Sequence, residues 1–485
     1  MAPSSEMDAP RREDAGKLDM PAAAMRELAD RAVELIIARI RGLGSDRPWR
    51  GASRAELEPL LREPPPEQGH AAREVLERAV REVLPLAARV DHPRFFAFVP
   101  SAPTWPGVIA DFLTAGFNIF QGTWLGAAGP SQLELVVIDW FRQWIGYPAT
   151  AGGLFTSGGS AAILDALVAA RERHGAPARP AIFMSDQTHS AVERAARIIG
   201  VRADGIVKLA TNDDFRLPVA ALEQAVASAR SRGYSPIAIC ANAGTTNTGA
   251  VDPLPEIAAY CTREGIWLHV DAAYGGFAVL SERGRTLLAG LQLADSISLD
   301  AHKWFFQPFE AGCLLVRDIA TLERAFSFHA EYMQDTRLGM EQVNFADRGL
   351  QLTRSFRALK VWMSVQTFGL AAFRDAIAHG IELADRAGDY IKSSELLELL
   401  SRPSLGILCF RFRPQGSMLP ASEVDELNER LQARIIESGT AMLSSTRLRG
   451  AYALRFCIMS HRTTWRDVSD TLEAIEAGGR ELLSS

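Results

Sequence analysis

The segment SLDAHKWFFQPFE, residues 298–310, sets His302 beside Lys303 at the end of an apolar run. Ionisable residues are seldom buried without a partner, and a desolvated lysine amine is a nucleophile toward carbonyl carbon. Other segments offer groups that such an amine would need. FTSGGSAAILDAL, residues 155–167, places two glycines and two serines where a strand or turn feeds a helix. Free N–H groups at a helix start bind phosphate well. Gly158 and Gly159 would let the backbone approach an anion, and Ser157 or Ser160 would add a hydroxyl. No lysine follows as in a P-loop, and the glycine spacing is not that of a dinucleotide fingerprint. Taken alone, the segment reads more simply as an ordinary helix N-cap with turn glycines.

In WLHVDAAYGG, Asp271 ends an apolar strand. A carboxylate there is either a turn former or a functional group at the carboxyl edge of a sheet. The alanines after it leave room for a flat ring, and the acid could hold a protonated ring nitrogen. His189, in SDQTHSAVERAARIIG, is a ring that can stack on another or move protons; its plainer reading is a satisfied histidine at a helix start. Thr245 and Thr246, in NAGTTNTGAVDPL, either bond to a ligand or shape the turn. Together these groups form a phosphate cup, an acid, an imidazole and a lysine, each following a strand. That set is what pyridoxal 5'-phosphate (PLP) requires: an amine to hold it covalently, an acid at its ring nitrogen and a seat for its phosphate.

Positioning these groups calls for an α/β scaffold. After residue 150, AIFMSD, PIAICANAG, IWLHVDAAY, SISLDAHK and AGCLLVRD read as strands, with amphipathic helices between them. That alternation predicts a mostly parallel central sheet, with ligands at the carboxyl ends of its strands. Beyond about residue 360, LGILCFRFRP and AYALRFCIMSH read as strands of a smaller α+β unit, separated by the helix SEVDELNERLQARIIESG. A last helix opens on Thr464 and Asp467, spaced as a capping box. Nearer the N-terminus, Met25, Leu28, Ala32, Leu35, Ile36 and Ile40 make one apolar helical stripe. It fits packing within its own domain and docking on a second subunit equally well. The expected organisation is a disordered tail (1–20), an N-terminal helical dimer-packing segment (21–104), a large cofactor-binding domain (105–360) and a small C-terminal domain (361–485).

DAHKW, HVDAAY, SDQTHSAVERA and HPRFFAFVPSA resemble segments of the group II PLP-dependent decarboxylases, in particular the aromatic-L-amino-acid (DOPA, tyrosine, tryptophan) decarboxylases. The resemblance spans roughly residues 25–480, through RSFRALKVW and LRFCIMSHRT. It implies the fold-type I architecture, an aspartate aminotransferase-like large domain with a mostly parallel seven-stranded sheet, and a homodimer with shared active sites. It implies that Lys303 carries the cofactor, His302 neighbours its phosphate, Asp271 pairs with the ring nitrogen, Ala273 lies under the ring and His189 stacks on the other face. Thr246 would contact the cofactor, and Gly159 and Ser160 its phosphate; Phe98, Val99 and Ser101 would line the substrate pocket. Tyr332, in HAEYMQD, matches the tyrosine of a mobile loop that returns a proton to Cα. Relatives that use oxygen to make aldehydes typically carry phenylalanine there, so Tyr332 favours an amine product. Two positions depart from the pattern. Asp300 stands where asparagine is usual, and a carboxylate repels a phosphate; it is expected to bond to backbone or to His302 instead. Gly122, with Phe120 just before it, falls where the partner subunit would supply an aromatic residue.

The expected activity is therefore decarboxylation of an L-amino acid, an aromatic one in the first place, to its amine. The alternatives are an aromatic aldehyde synthase, a decarboxylase of a non-aromatic amino acid, an aminotransferase (which would usually have serine before the lysine) and a non-catalytic dimeric scaffold. A formal net charge of −6 without a basic stripe argues against nucleic acid. Cys240, Cys261, Cys313, Cys409 and Cys457 lack CxxC spacing, which fits reduced cytoplasmic thiols and no metal site. Neither a signal peptide nor a membrane-spanning run is evident, so a cytoplasmic protein with no membrane partner is expected.

Overall fold

The computed structural model describes residues 18–99, 102–327, 331 and 342–484. Most of the 1–20 tail, together with Ser101 and Tyr332, lies outside the described residues. The chain forms two units, divided between Ala88 and Arg89. The first contains α1 (Ala22–Gly42), α2 (Arg54–Leu61) and α3 (Ala72–Arg78). No residue of α1 is buried. Ser53 and Glu56 close a capping box on α2, and Arg31 reaches Glu77 of α3 at 3.1 Å.

The second unit begins with α4 (Trp105–Gly116) and α5 (Trp124–Ile145) and then builds the sheet. Its strands are β1 (Gly152–Thr156), β2 (Pro180–Ser185), β3 (Ile206–Leu209), β4 (Ser235–Asn242), β5 (Trp267–Asp271), β6 (Ser296–Asp300) and β7 (Gly312–Val316). They lie in the order β1-β7-β6-β5-β4-β2-β3, and only β7 runs antiparallel to its neighbours. β2, β4 and β7 are almost wholly buried, mainly apolar runs, and β6 is buried throughout although it carries Ser296, Ser298 and Asp300, as a parallel sheet covered on both faces requires. Helices α6 (Gly159–Arg173), α7 (Ser190–Ile198), α8 (Val219–Ser231) and α9 (Leu254–Glu264) connect the parallel strands, followed by the short α10 (Glu282–Leu287) and α11 (Ala320–Phe326). The mostly parallel seven-stranded sheet is the architecture expected from the sequence.

Helix α12 (Ala358–Ser393) is 36 residues long and kinks at Gly369, so residue 360 falls in its first turn. Beyond it, β8 (Leu397–Ser404), β9 (Ile407–Phe412), β10 (Ser444–Leu448) and β11 (Ala451–Cys457) form an antiparallel sheet ordered β10-β11-β9-β8. It is covered by α13 (Ala421–Ser438) and α14 (Trp465–Ser484). The capping box at α14 is present: the Thr464 amide and hydroxyl donate to Asp467 at 2.9 and 2.6 Å.

Two buried polar contacts tie loops to this frame. Arg354 and Glu134 are both essentially inaccessible and meet at 2.6 Å. Arg354 also donates to the carbonyls of Phe155 and Gln121, while Glu134 accepts the Phe155 amide at 2.8 Å. The pair thus joins α5, β1 and the 345–357 segment. Removing one partner of such a pair strands a buried charge. Arg354→Met is therefore expected to lower stability by about 3–5 kcal/mol, read as a fall in the urea midpoint; an unchanged midpoint would mean that the pair contributes nothing net.

Asp165 of α6 is the second contact. Burial pushes its carboxyl up to about 7, against the Leu350 amide and the charge of Arg354. The folded protein then binds a proton more readily than the unfolded chain, so stability falls as pH rises from the ordinary carboxylate range to about 7. Asp165→Asn keeps an acceptor for the Leu350 amide and never ionises. Its melting temperature is expected to match wild type near pH 4 and to exceed it at pH 8; equal melting at both would show that Asp165 does not titrate as argued.

Candidate active site

The carboxyl ends of β4, β5 and β6 open onto a cavity of about 700 Å³. Of the sequence-predicted site residues, Phe98, Val99, Gly159, Ser160, His189, Thr246, Asp271, Ala273, His302 and Lys303 all line it. Ser157, Gly158, Ile163, Gly244, Tyr274, Asp300, Phe309 and Glu310 complete the lining.

Each position follows from local structure. In-register parallel pairing sets Asp271 of β5 opposite Ser298 of β6. The Ser298 hydroxyl and the Ala273 amide donate to Asp271 Oδ1 at 3.0 and 3.1 Å. The carboxylate is therefore fixed before anything enters. His189 caps α7, its Nδ1 accepting the Ala191 amide at 3.2 Å. Asn242, at the end of β4, donates to Thr188 and Asp252 and so ties that loop to the sheet. The two threonines after β4 divide their work: Thr245 is buried and bonds Thr248 at 2.9 Å, shaping the turn, while Thr246 faces the cavity.

The turn between β1 and α6 forms an anion seat. Hydrogen bonding within α6 begins with the amide of Ala161, donating to Gly158, which leaves the earlier amides for a ligand. A β-carbon on Gly159 would lie 3.0 Å from Ala273 Cβ and 3.1 Å from Asp300 Oδ2, so the seat admits no side chain there. His302 Nδ1 accepts the Ala311 amide at 3.0 Å, which puts the ring proton on Nε2. Burial lowers the proton affinity of that ring, opposed by Asp300.

Lys303 Nζ lies 2.8 Å from Asp300 Oδ2, and His302 Nε2 lies 3.6 Å from the same oxygen. Burial pushes the Lys303 ammonium down; the charge and hydrogen bond of Asp300, with help from Asp271, outweigh it and leave the group above the ordinary lysine value. Asp300 thus bonds to Lys303, a partner not foreseen from the sequence although the i, i+3 spacing was there to read. Ser298 was also missed; its signal is a serine inside the apolar run SISLD. Phe120 and Gly122 are absent from the cavity wall among the described residues. Gly122 has a packing reason of its own, since a β-carbon there would lie 2.3 Å from the Leu352 carbonyl oxygen. Among the described residues no cluster of histidine, cysteine and acid is placed to hold a metal.

A lysine amine, a fixed carboxylate and an anion seat in one cavity fit PLP. Residues 55–413 match the family model described as the pyridoxal-dependent decarboxylase conserved domain. The chain belongs to that family. It is 40% identical to an aromatic-L-amino-acid decarboxylase of Bacillus atrophaeus over 96% of this chain and 97% of that protein. A phenylacetaldehyde synthase of Petunia hybrida is 30% identical, over 83% of each chain. The crystal structure of Oryza sativa TDC with PLP and tryptamine superposes with a TM-score of 0.90 at 28% identity, covering 96% of this chain and 99% of that one. This pyridoxal-dependent decarboxylase is thus a PLP-dependent lyase acting on an amino acid. No helix among the described residues is long and apolar enough to cross a membrane.

Ser298→Ala would free the Asp271 carboxylate to turn. Losing a hydrogen bond to a charged group is expected to weaken PLP binding roughly tenfold, measured by absorbance titration of cofactor-free protein. Unchanged affinity would show that Ser298 does not orient the acid in a way the cofactor senses.

Proposed function

We propose that this decarboxylase converts an aromatic L-amino acid to its amine and carbon dioxide, as a cytoplasmic homodimer with shared active sites. The observation that carries the reading is the convergence of Lys303, Asp271 and the Gly158–Ser160 turn on one cavity whose mouth bears the exposed rings of Phe98 and Phe309. Support for an aromatic substrate comes from those rings, from Ile163 and Val99 beside them, and from the relative that is 40% identical. Exposed apolar side chains on α4 and the loop after it, Phe112, Phe117 and Phe120, support a subunit interface.

When bound, PLP supplies an electron sink for the pair left behind as carbon dioxide departs. The chain's own groups do the rest. Lys303 Nζ would hold the cofactor covalently. Asp271 keeps a proton on the ring nitrogen. His302 Nε2–H, the amides at the start of α6 and the Ser160 hydroxyl bind the phosphate. Ala273 and His189 would hold the ring between them, and Thr246 would contact the cofactor. Val99, Phe98 and, outside the described residues, Ser101 orient the substrate side chain. Tyr332, also outside the described residues, returns a proton to Cα, and that proton makes the product an amine.

The test is incubation with a panel of L-amino acids while carbon dioxide, amine and hydrogen peroxide are followed together. Amine equal to carbon dioxide without peroxide is expected, greatest with an aromatic substrate and abolished in Lys303→Ala. Tyr332→Phe is expected to divert most turnovers to aldehyde and peroxide. Peroxide and aldehyde from the unmodified protein would replace this reading with the synthase one. A preference for a non-aromatic substrate would overturn only the substrate assignment.

A further inference from the structure

The segment that carries Phe98 is laid along the C-terminal sheet. The Phe96 amide donates to the Met442 carbonyl at 2.9 Å, the Met442 amide to the Arg94 carbonyl at 3.1 Å, and the Cys457 amide to the Phe96 carbonyl at 3.0 Å. Phe95 and Phe96 are buried there. At Phe98 the pattern changes. Its φ of 55° puts a bulky residue in the left-handed region, and its ring, 63% exposed, stands at the mouth of the cavity. An exposed ring gains little from burial, so packing does not offset the strain, and other contacts must hold the conformation.

Two side chains supply them. Ser444 of β10 and Arg455 of β11 are paired in register, and directly opposed residues carry their side chains on one face of a sheet. Ser444 Oγ accepts the Phe98 amide at 3.2 Å, and Arg455 Nη1 donates to the Phe98 carbonyl at 2.5 Å. Nη1 also donates to Ser444 Oγ at 3.2 Å, which joins the two into one clamp. Both backbone polar groups of Phe98 are thus held by side chains. Arg455 is buried, and its Nε donates to the carbonyl of Asn247, the residue after Thr246, at 3.1 Å. Neither Ser444 nor Arg455 itself lines the cavity.

We propose that Ser444 and Arg455 are positioning residues that set how the enzyme receives the substrate side chain, by holding Phe98 in its left-handed conformation over the cavity mouth. The inference rests on the reading above in which Phe98 borders that side chain. The clamp is complete before substrate arrives, so the ring is placed in advance. Released from it, residue 98 relaxes toward ordinary extended backbone and its ring leaves the mouth. Lys303, Asp271 and the anion seat belong to other elements and stay where they are. The expected signature is a higher KM with kcat and the cofactor absorbance retained. Ser444 gives the cleaner test, because Arg455 also fastens the turn beside Thr246.

The experiment is a double-mutant cycle on the PLP-loaded enzyme, using the best substrate of the amino-acid panel. Ser444→Ala is expected to raise KM roughly fivefold, the effect of one neutral hydrogen bond, while kcat and the visible cofactor band stay within about twofold. Ser444→Thr, which keeps a hydroxyl, is expected to bring KM back toward the wild-type value. Arg455→Lys keeps the charge but loses the fork, and a rise in KM of about tenfold is expected. Phe98→Gly adopts positive φ without strain and has no ring to aim, so adding Ser444→Ala to it is expected to leave KM where Phe98→Gly put it. The cycle decides the matter even where Arg455→Lys fails to fold. An unchanged KM in folded Ser444→Ala or Arg455→Lys contradicts the proposal. So does an equal rise from Ser444→Ala with and without the Phe98 ring, or a loss of kcat and cofactor band at constant KM. A best substrate without an aromatic ring removes the aromatic assignment alone, since the cycle still reads whether the clamp acts through Phe98.

Discussion

The in-register parallel pairing of β4, β5 and β6 is the constraint on which the site depends. It brings Asn242, Asp271 and Ser298 into one row across the strand ends. Shift one strand by a single residue and its side chains exchange faces; Asp271 would lose Ser298 and turn from the cavity. Because the strands are buried and apolar, that slip is prevented by the whole sheet rather than by the polar row itself. The reacting groups are thus held in place by packing energy, and none must be ordered at the moment of binding.

Around that row, buried charges act as fixings for loops that lack secondary structure. Lys360 of α12 donates to Asp111 of α4 and to the carbonyls of Pro308 and Glu310, holding the segment that carries Phe309. Arg455 of β11 donates to the carbonyls of Phe98 and Asn247 at 2.5 and 3.1 Å, and so fastens the Phe98 segment and the turn beyond Thr246. Asp300 and Lys303 differ from these pairs in facing the cavity.

Much of this was legible in the sequence, and the misses have physical reasons. β2, β4, β5, β6 and β7 are apolar runs with turn signals, and they read as strands. β1 did not, since GGLFT begins with two glycines. The glycine is needed there because a β-carbon on Gly153 would lie 1.9 Å from the Leu314 carbonyl oxygen. The edge strand β3 is four residues long and carries the exposed Lys208, so it offers no apolar run to read. β8 contains Pro403 and two register shifts, as edge strands tolerate. Lys303, His302 and Asp271 announced themselves as charged groups after apolar runs. Ser298 was silent because hydroxyls are common in strands, and Glu134 and Arg354 because nothing local distinguishes a buried ion pair from two surface charges 220 residues apart.

The most direct test of the central claim, that the strand ends deliver Lys303 to the cofactor, is chemical. The PLP-loaded protein would be reduced with borohydride, digested, and its phosphopyridoxyl peptide located by mass spectrometry. The label is expected on Lys303 within DAHKW, at close to one per chain. Label on Lys17, Lys208, Lys360 or Lys392, or no stable label at all, would contradict the account.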